Sequence, residues 1–313
     1  MLSSATAAGL VEERTGRRLR DSRLYLKAEH LQKTGSFKPR AALSKLTSLT
    51  PKERDAGVIT LSAGNAAQAY AWAGSVEGVA VTVTMPARAV RSKVDASLGY
   101  GAEVVLHGEH VGETLARLQE LIADRGLTLV HPFDDPEVIA GNGSVGLEIL
   151  DDLPDVDVVV VGVGGGGLIS GVATALKELR PGVRVYGVEP EGSDAMSQAI
   201  AAGQVIRIDP VSVADGLGAP FAGEWTLPIC QRYVDDIVLL DDATILGALR
   251  FAAERMKQVL EPAGAAALAA VLNGRIPIRD AEKVCVIASG GNVETSRLGE
   301  FLERAIRSGG VSA

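Results

Sequence analysis

The stretch "VVVVGVGGGGLISG", Val158 to Gly171, decides how the rest of the chain is read. Its four consecutive valines are β-branched and apolar, the pattern of a strand buried on both faces of a sheet. Four consecutive glycines, Gly164–Gly167, come next, and then a small-residue apolar run that suits a helix packed on that sheet. A strand, a turn without side chains and a helix start present backbone N–H groups and the positive end of a helix dipole to an anion. Gly162, Gly164 and Gly167 satisfy G-x-G-x-x-G, and an acid, Glu189, stands at the end of the next predicted strand. The pyrophosphate of a dinucleotide is therefore one candidate. The unbroken glycine run suits instead a compact terminal phosphate wrapped by several N–H donors. The plainest alternative is a glycine turn that only packs helix on strand. The uncharged span Val158–Leu176 is long enough to suggest a membrane helix, but its glycines fit a strand–turn–helix unit better.

Outward from this stretch, apolar β-rich runs alternate with helical segments. Strands are predicted at Ala56–Gly64, Ala80–Pro86, Ala102–Gly108 and Leu127–Phe133, with helices at Ala66–Ser75, Ala89–Leu98 and Gly112–Asp124 between them. After Val156–Val163 come a helix over Leu168–Leu179, a strand over Val183–Pro190 and an extended segment at Asp236–Asp242. Helices over Thr244–Val259 and Gly264–Leu272 and a strand over Lys283–Gly291 complete the pattern, and Arg23–His30 supplies an early strand. Continuous apolar strands alternating with helices imply α/β architecture with parallel sheets covered on both faces. Four strands crowd between 56 and 133, which predicts a small α/β domain, 53–134, inserted into a larger one formed by 1–52 and 135–313. Ligands of open α/β sheets sit beyond the carboxyl ends of strands. Chemistry is therefore expected at Ser62–Asn65, Gly164–Leu168, Glu189 and Ser289–Asn292.

Composition narrows the function. The chain has 313 residues, 47% hydrophobic and 22% charged, and a net charge of -8 from 31 basic and 39 acidic residues. That balance describes a soluble globular protein without the basic surface that nucleic acid or an anionic membrane requires. Cys230 and Cys285 lie far apart with no CxxC, which excludes a disulfide framework and fits a reducing compartment. The N-terminus lacks a basic start followed by an apolar core, so no signal peptide is expected and the cytoplasm is the expected location. His107 and His110 are spaced for one helix face, but no third ligand accompanies them. There is no GxSxG for a serine hydrolase and no GK[ST] after the glycines for an NTPase.

The most specific stretch is "TGSFKPR", Thr34–Arg40. Thr34, Gly35 and Ser36 suit a turn and helix N-cap, which would put Lys38 in a first helical turn. The dipole end and partial burial would lower its amine pKa there. A lysine so placed can form a Schiff base and act as a base. "TGSFKPR" resembles the SFK-x-R segment of the pyridoxal-phosphate enzymes of the tryptophan-synthase-β fold type. "SAGNAAQ" (Ser62–Gln68), "HPFDDPEVIAGNGSVGLEIL" (His131–Leu150), "VGGGGLISG", "GVEP" (Gly187–Pro190), "ADG" (Ala214–Gly216), "EPAGA" (Glu261–Ala265) and "SGGN" (Ser289–Asn292) resemble that family's motifs in its order. The match runs from Leu24 to Asn292 and is nearest the threonine/serine dehydratase branch, which includes serine racemases. The TSGNT-type loop of cysteine synthases is missing.

The resemblance implies a fold of two α/β domains with pyridoxal phosphate in the cleft between them. Lys38 would hold the cofactor covalently and Phe37 would flank its ring. Asn65 would meet its ring oxygen, and Gly164, Gly165, Gly166, Gly167 and Leu168 would cradle its phosphate. Ser289 would face the pyridine nitrogen, and Gly216 would let the backbone approach. Ser62, Gly64 and Asn65 would hold the substrate carboxylate at a helix start. The implied reaction is β-elimination on a 3-hydroxy-L-amino acid such as L-threonine or L-serine. Lys38 takes the Cα proton, the cofactor phosphate protonates the departing hydroxyl, and a 2-oxo acid and ammonia result. Racemases of this branch carry a second acid/base serine where this chain has Ala63, which tilts the expectation toward one-face chemistry. Ala66 and Ala41 stand where the family usually has His and Gly. Members often bind a divalent cation through an acid like Glu189 and a second acid six residues on. Ala195 occupies that position with Asp194 beside it, so no metal is assigned. The family's opening helix is absent from the start of this sequence, no regulatory domain is expected after Ala313, and the expected assembly is a homodimer. The other readings are a racemase or hydroxyaspartate dehydratase of the same fold, a nicotinamide oxidoreductase, and a non-catalytic relative that binds the cofactor or an amino acid.

Overall fold

The structure is a computed structural model that describes residues 1–308; the last five residues of the expected large domain, and whatever follows Ala313, lie outside the described residues. Two sheets organise the chain. The larger has six strands in the order β1-β2-β10-β7-β8-β9: β1 (Leu2–Ser4), β2 (Leu19–Lys27), β7 (Val158–Gly162), β8 (Arg184–Pro190), β9 (Asp236–Leu240) and β10 (Glu282–Ile287). The smaller has four in the order β5-β4-β3-β6: β3 (Val58–Leu61), β4 (Val81–Met85), β5 (Glu103–Leu106) and β6 (Thr128–Leu129). Every pairing is parallel except β1 with β2, so the larger sheet is mixed rather than purely parallel.

The valine run behaves as its composition dictates. Val158 and Val160 point into one core, shared with the fully buried helix Pro262–Leu272. Val159 and Val161 point into another, shared with the helix Gly167–Leu179. Alternate side chains of one strand thus feed both faces, and no polar residue is tolerated on either. A third core joins the smaller sheet to Ala42, Leu46 and Leu49, so the helix Lys38–Thr47 packs on that sheet, while Phe37 just before it packs against the second core.

Three local expectations are corrected. β6 ends at Leu129, short of the predicted Phe133, because His131 Nδ1 accepts from the Phe133 and Asp134 amides and turns the chain there. The helix predicted over Thr244–Val259 is regular only from Asp242 to Phe251; it widens to a π-turn over Ala252–Met256 and ends where Lys257 adopts φ +57°. The Gln258 side chain then bonds His30 Nε2 at 2.9 Å, tying this break to the loop after β2. Helices at Ala5–Thr15, Pro136–Asp152, Ala195–Ala202, Thr226–Tyr233 and Thr295–Arg307 had no counterpart in the sequence reading. Among the described residues, no helix is long and apolar enough to cross a membrane.

Candidate active site

β2, β10 and β7 are adjacent and parallel, so the loops leaving their carboxyl ends meet. Those loops carry Lys38, Ser289 and Gly164–Gly167. The loop after β3 brings Ser62–Asn65 from the other sheet. All of these, with Phe37, Leu168 and Gly216, line one cavity of about 520 Å³. Of the strand-end segments singled out from sequence, Glu189 and Gly290–Asn292 stay off its wall.

Lys38 begins a helix with Pro39 behind it, as a first-turn position should. The cap is not Ser36, however. Phe37 occupies the N-cap without a side-chain bond; Ser36 is extended at φ −163°, and its buried hydroxyl has no partner among the described residues. The reason is that the segment is zipped onto the "SGGN" loop instead. Ser36 bridges Gly290, the Phe37 amide donates to Ser289 O at 3.1 Å, and the Gly291 amide donates to Gly35 O at 2.9 Å. Backbone bonds therefore fix Lys38 against Ser289. Lys38 Nζ donates to Pro132 O at 2.9 Å and lies 5.0 Å from the centre of the Phe37 ring. Burial lowers its pKa to about 8, with Glu261 pulling the other way, so a usable fraction of free amine exists near neutral pH.

The glycine loop is shaped from outside. A Cβ on Gly165 would enter the Phe133 ring, and Gly166 sits at φ +90° against Met196 and Thr226. Thr226 Oγ1 holds the Gly165 carbonyl at 2.7 Å, turning it away from the cavity wall. Gly166 caps the helix Gly167–Leu179 without a side chain. Among the described residues, no backbone carbonyl accepts from the amides of Gly164 to Leu168. A row of buried, unpaired N–H donors at a helix N-terminus costs stability unless an anion takes them. The loop thus fits one phosphate group, and the lysine amine beside it fits a cofactor that needs both.

Asn65 opens the helix Asn65–Glu77, and Gly64 is its cap. Asn65 Nδ2 donates to Glu261 Oε1 at 2.7 Å, and Asn65 Oδ1 accepts from Asn292 Nδ2 at 2.9 Å. Ser62 Oγ accepts from the Gly64 amide at 3.2 Å. Burial pushes Glu261 up to about 7, against the Asn65 bond. Gly216 lines the cavity, but its missing Cβ makes room first for Ala263 Cβ, 2.8 Å away, rather than for a ligand alone.

Glu189, the acid of the dinucleotide pattern and of the conceivable metal site, has another occupation. Its carboxylate accepts from the Met196 and Ser197 amides, each at 2.9 Å, and from Ser197 Oγ at 2.6 Å. It caps the helix Ala195–Ala202 from inside the core, and burial pushes it up to about 7. The sequence reading gave no role to Glu261, Phe133 or Thr226. The first two lie in the motifs "EPAGA" and "HPFDDP"; nothing in the sequence marks Thr226.

Comparison with known proteins gives the family. Residues 10–290 match the family model described as "Pyridoxal-phosphate dependent enzyme". The chain is 41% identical over 284 residues to an L-threonine ammonia-lyase of Thermotoga maritima, covering 90% of this chain and 70% of that one. It is 42% identical over 281 residues to the catabolic L-threonine dehydratase of Escherichia coli K12, covering 89% and 85%. Among solved structures, serine racemase from Dictyostelium discoideum superposes with a TM-score of 0.85 at 36% identity, covering 94% of this chain and 92% of that one. The processed form of threonine deaminase isoform 2 from Solanum lycopersicum gives 0.87 at 36% identity, covering 96% and 86%.

Proposed function

The chain belongs to the pyridoxal-phosphate dependent enzymes, and on that premise we propose that it is an ammonia-lyase acting on 3-hydroxy-L-amino acids such as L-threonine or L-serine. The hydroxyl leaves as water, water returns on hydrolysis, and the products are a 2-oxo acid and ammonia. The observation that carries the reading is the meeting of Lys38, Asn65, Ser289 and the amides of Gly164–Leu168 on one cavity wall. Relatives named as threonine ammonia-lyase and dehydratase support the reaction class.

Bound pyridoxal phosphate supplies an electron sink for the carbon that bears the substrate amine. The remaining roles belong to the chain. Lys38 Nζ would hold the cofactor and would be the base that takes the Cα proton. The amides of Gly164 to Leu168 hold the phosphate, and Phe37 supports the ring. Asn65 Nδ2 would meet the ring oxygen, and neutral Ser289 would meet the ring nitrogen. A hydroxyl there would stabilise a protonated ring less than a carboxylate would, which favours elimination of the β-hydroxyl. Ser62 and the start of the helix Asn65–Glu77 hold the substrate carboxylate. Ala63 carries no transferable proton on the cavity wall, and this supports elimination over racemisation. We further read 53–134 as a small domain inserted into a large one, the assembly as a homodimer, and the location as cytoplasmic.

Lys38→Ala tests the assignment. The variant should lose the yellow absorbance of the holoenzyme and the release of 2-oxo acid from a panel of L-threonine, L-serine, 3-hydroxyaspartate and phenylserine. Retention of both properties would overturn it.

A further inference from the structure

Two carboxyls line the cavity, and they are not alike. Asp215 is ion-paired with Lys93 at 3.3 Å and Arg297 at 3.6 Å, and its side chain is 46% exposed. Glu261 is 5% exposed and has no ion-pair partner among the described residues. It stands at the N-cap of the helix Pro262–Leu272, where an acid ordinarily accepts from the helix's own amides, yet no such bond is made. The side chain turns to Asn65 instead. A buried acid that forgoes a helix cap has been committed to something else.

That commitment is legible in the hydrogen bonds. Asn292 Nδ2 donates to Thr34 O at 2.6 Å and to Asn65 Oδ1 at 2.9 Å. Asn65 Oδ1 is thereby held toward Asn292, and Asn65 Nδ2 toward Glu261. An amide has two Nδ2 protons, and Glu261 takes one, so the other is left for a ligand in the cavity. Without Glu261 the amide keeps one anchor only and can swing. The charged groups that face Glu261 are Lys38, Lys93 and Asp215; Lys38 faces Glu261 and His131. A second cavity of about 270 Å³ is lined by Glu261, Gln68, Lys93, Asn292 and Arg297, so the carboxyl stands between two cavities.

We propose that Glu261 is a positioning residue for the reaction: its carboxylate orients the Asn65 amide, and its charge sets the proton affinity of the nitrogen at Lys38. This rests on the reading of Lys38 and Asn65 as the residues that hold the cofactor. Burial drives Glu261 up to about 7 and Lys38 down to about 8, and against burial each group's charge favours the charged form of the other.

The test uses holoenzyme carrying Glu261→Gln or Glu261→Ala. Gln keeps an oxygen that accepts from Asn65 and removes the charge; Ala removes both. The visible band is titrated with pH, cofactor dissociation is followed by fluorescence, and kcat and KM are separated. Thermal melting and far-UV circular dichroism verify folding. Glu261→Gln should bind cofactor as the native protein does but shift the pH midpoint of the band down by roughly one unit, the lower end of what one opposite charge at close range produces. Glu261→Ala should show the same shift and in addition release cofactor about tenfold more readily, the equivalent of one lost hydrogen bond to a charged group. A folded Glu261→Gln with an unmoved midpoint, or a folded Glu261→Ala with native cofactor affinity, overturns the proposal. Neither result touches the underlying reading, which fails separately if native holoenzyme has no visible band or if Lys38→Ala keeps it.

Discussion

Two residues beyond Lys38, Arg40 holds the most heavily bonded ionic cluster near the site, and removing it gives a sharp test of how that site is built. Arg40 Nε and Nη2 donate to the two oxygens of Glu29 at 2.7 and 2.9 Å. Nη1 and Nη2 donate to the two oxygens of Glu148 at 2.7 Å each, and Nη1 also donates to Ser144 Oγ at 3.0 Å. The two acids differ in burial: the Glu29 side chain is 3% exposed and that of Glu148 is 46% exposed. Arg40→Ala strands Glu29 as an unpaired charge in the interior, which costs about 3–5 kcal/mol. Glu148 is left with Lys27 at 2.7 Å and with water, and its share is under about 1 kcal/mol. The loss approaches half of an ordinary domain's net stability of about 5–15 kcal/mol. The assay is urea unfolding of holoenzyme at fixed cofactor concentration, in two double-mutant cycles. One pairs Arg40→Met with Glu29→Gln, the other Arg40→Met with Glu148→Gln. The first should show coupling above about 2 kcal/mol and the second below about 1 kcal/mol. Equal coupling, or an Arg40→Ala loss below about 1 kcal/mol, would refute the view that burial rather than bond number ranks these contacts. The pH dependence has a definite sign. Bonds from Arg40, and then from Lys27, hold Glu148 down from its usual 4.5 to about 2. A carboxyl lowered on folding contributes stability that is present above about 4.5 and lost as the pH falls toward about 2. Arg40→Ala should flatten that acid limb.

Two other substitutions probe separate parts of the frame. Gly165→Ala places a methyl group in the Phe133 ring; cofactor should dissociate at least about fivefold faster, from the roughly 1–3 kcal/mol of an overpacked site, and adding Phe133→Ala should recover part of the loss, as cofactor fluorescence would report. Glu189→Ala leaves the Met196 and Ser197 amides without their acceptor and should lower stability by about 1–3 kcal/mol, while kcat per bound cofactor stays within twofold; a collapse of kcat in a folded variant would place Glu189 in the chemistry.

The parts of this site that could be read from the sequence are those whose geometry is local. A strand feeding glycines feeding a helix needs no distant partner to be recognised, and neither does a lysine behind Gly-Ser-Phe in a first turn. What escaped depends on contacts made far along the chain. Glu261 meets Asn65 across 196 positions, and the acid's own neighbourhood, "EPAGA", reads as an ordinary helix start. Ser36 looked like a cap because serine before a helix usually is one; its pairing with Gly290 overrides that preference. The short β6 failed for a similar reason. "LTLVHPF" is apolar enough for a full strand, but His131 Nδ1 satisfies two amides that a longer strand would have offered to a neighbour. Propensity described what each segment would do alone, and side-chain bonds from elsewhere cut the segment short.

The same distinction decides between a dinucleotide and a single phosphate. G-x-G-x-x-G is satisfied here, and Glu189 stands where an acid would meet a ribose hydroxyl, so the pattern by itself cannot choose. The choice follows from where two side chains point. Glu189 turns away from the cavity and spends its oxygens on the helix Ala195–Ala202, so the acid of that pattern is not offered to a sugar. Phe133 packs against Gly165 where a side chain would stand, and the bare loop suits a small anion better than an extended one. On the remaining side stand a buried amine with its pKa lowered to about 8 and an amide fixed at both ends. Those groups suit a compact aldehyde-bearing ring with one phosphate. The glycine run that resembles a nicotinamide fingerprint is therefore a consequence of its neighbours: the aromatic ring, Met196 and Thr226 leave no room for any side chain at Gly165 and Gly166.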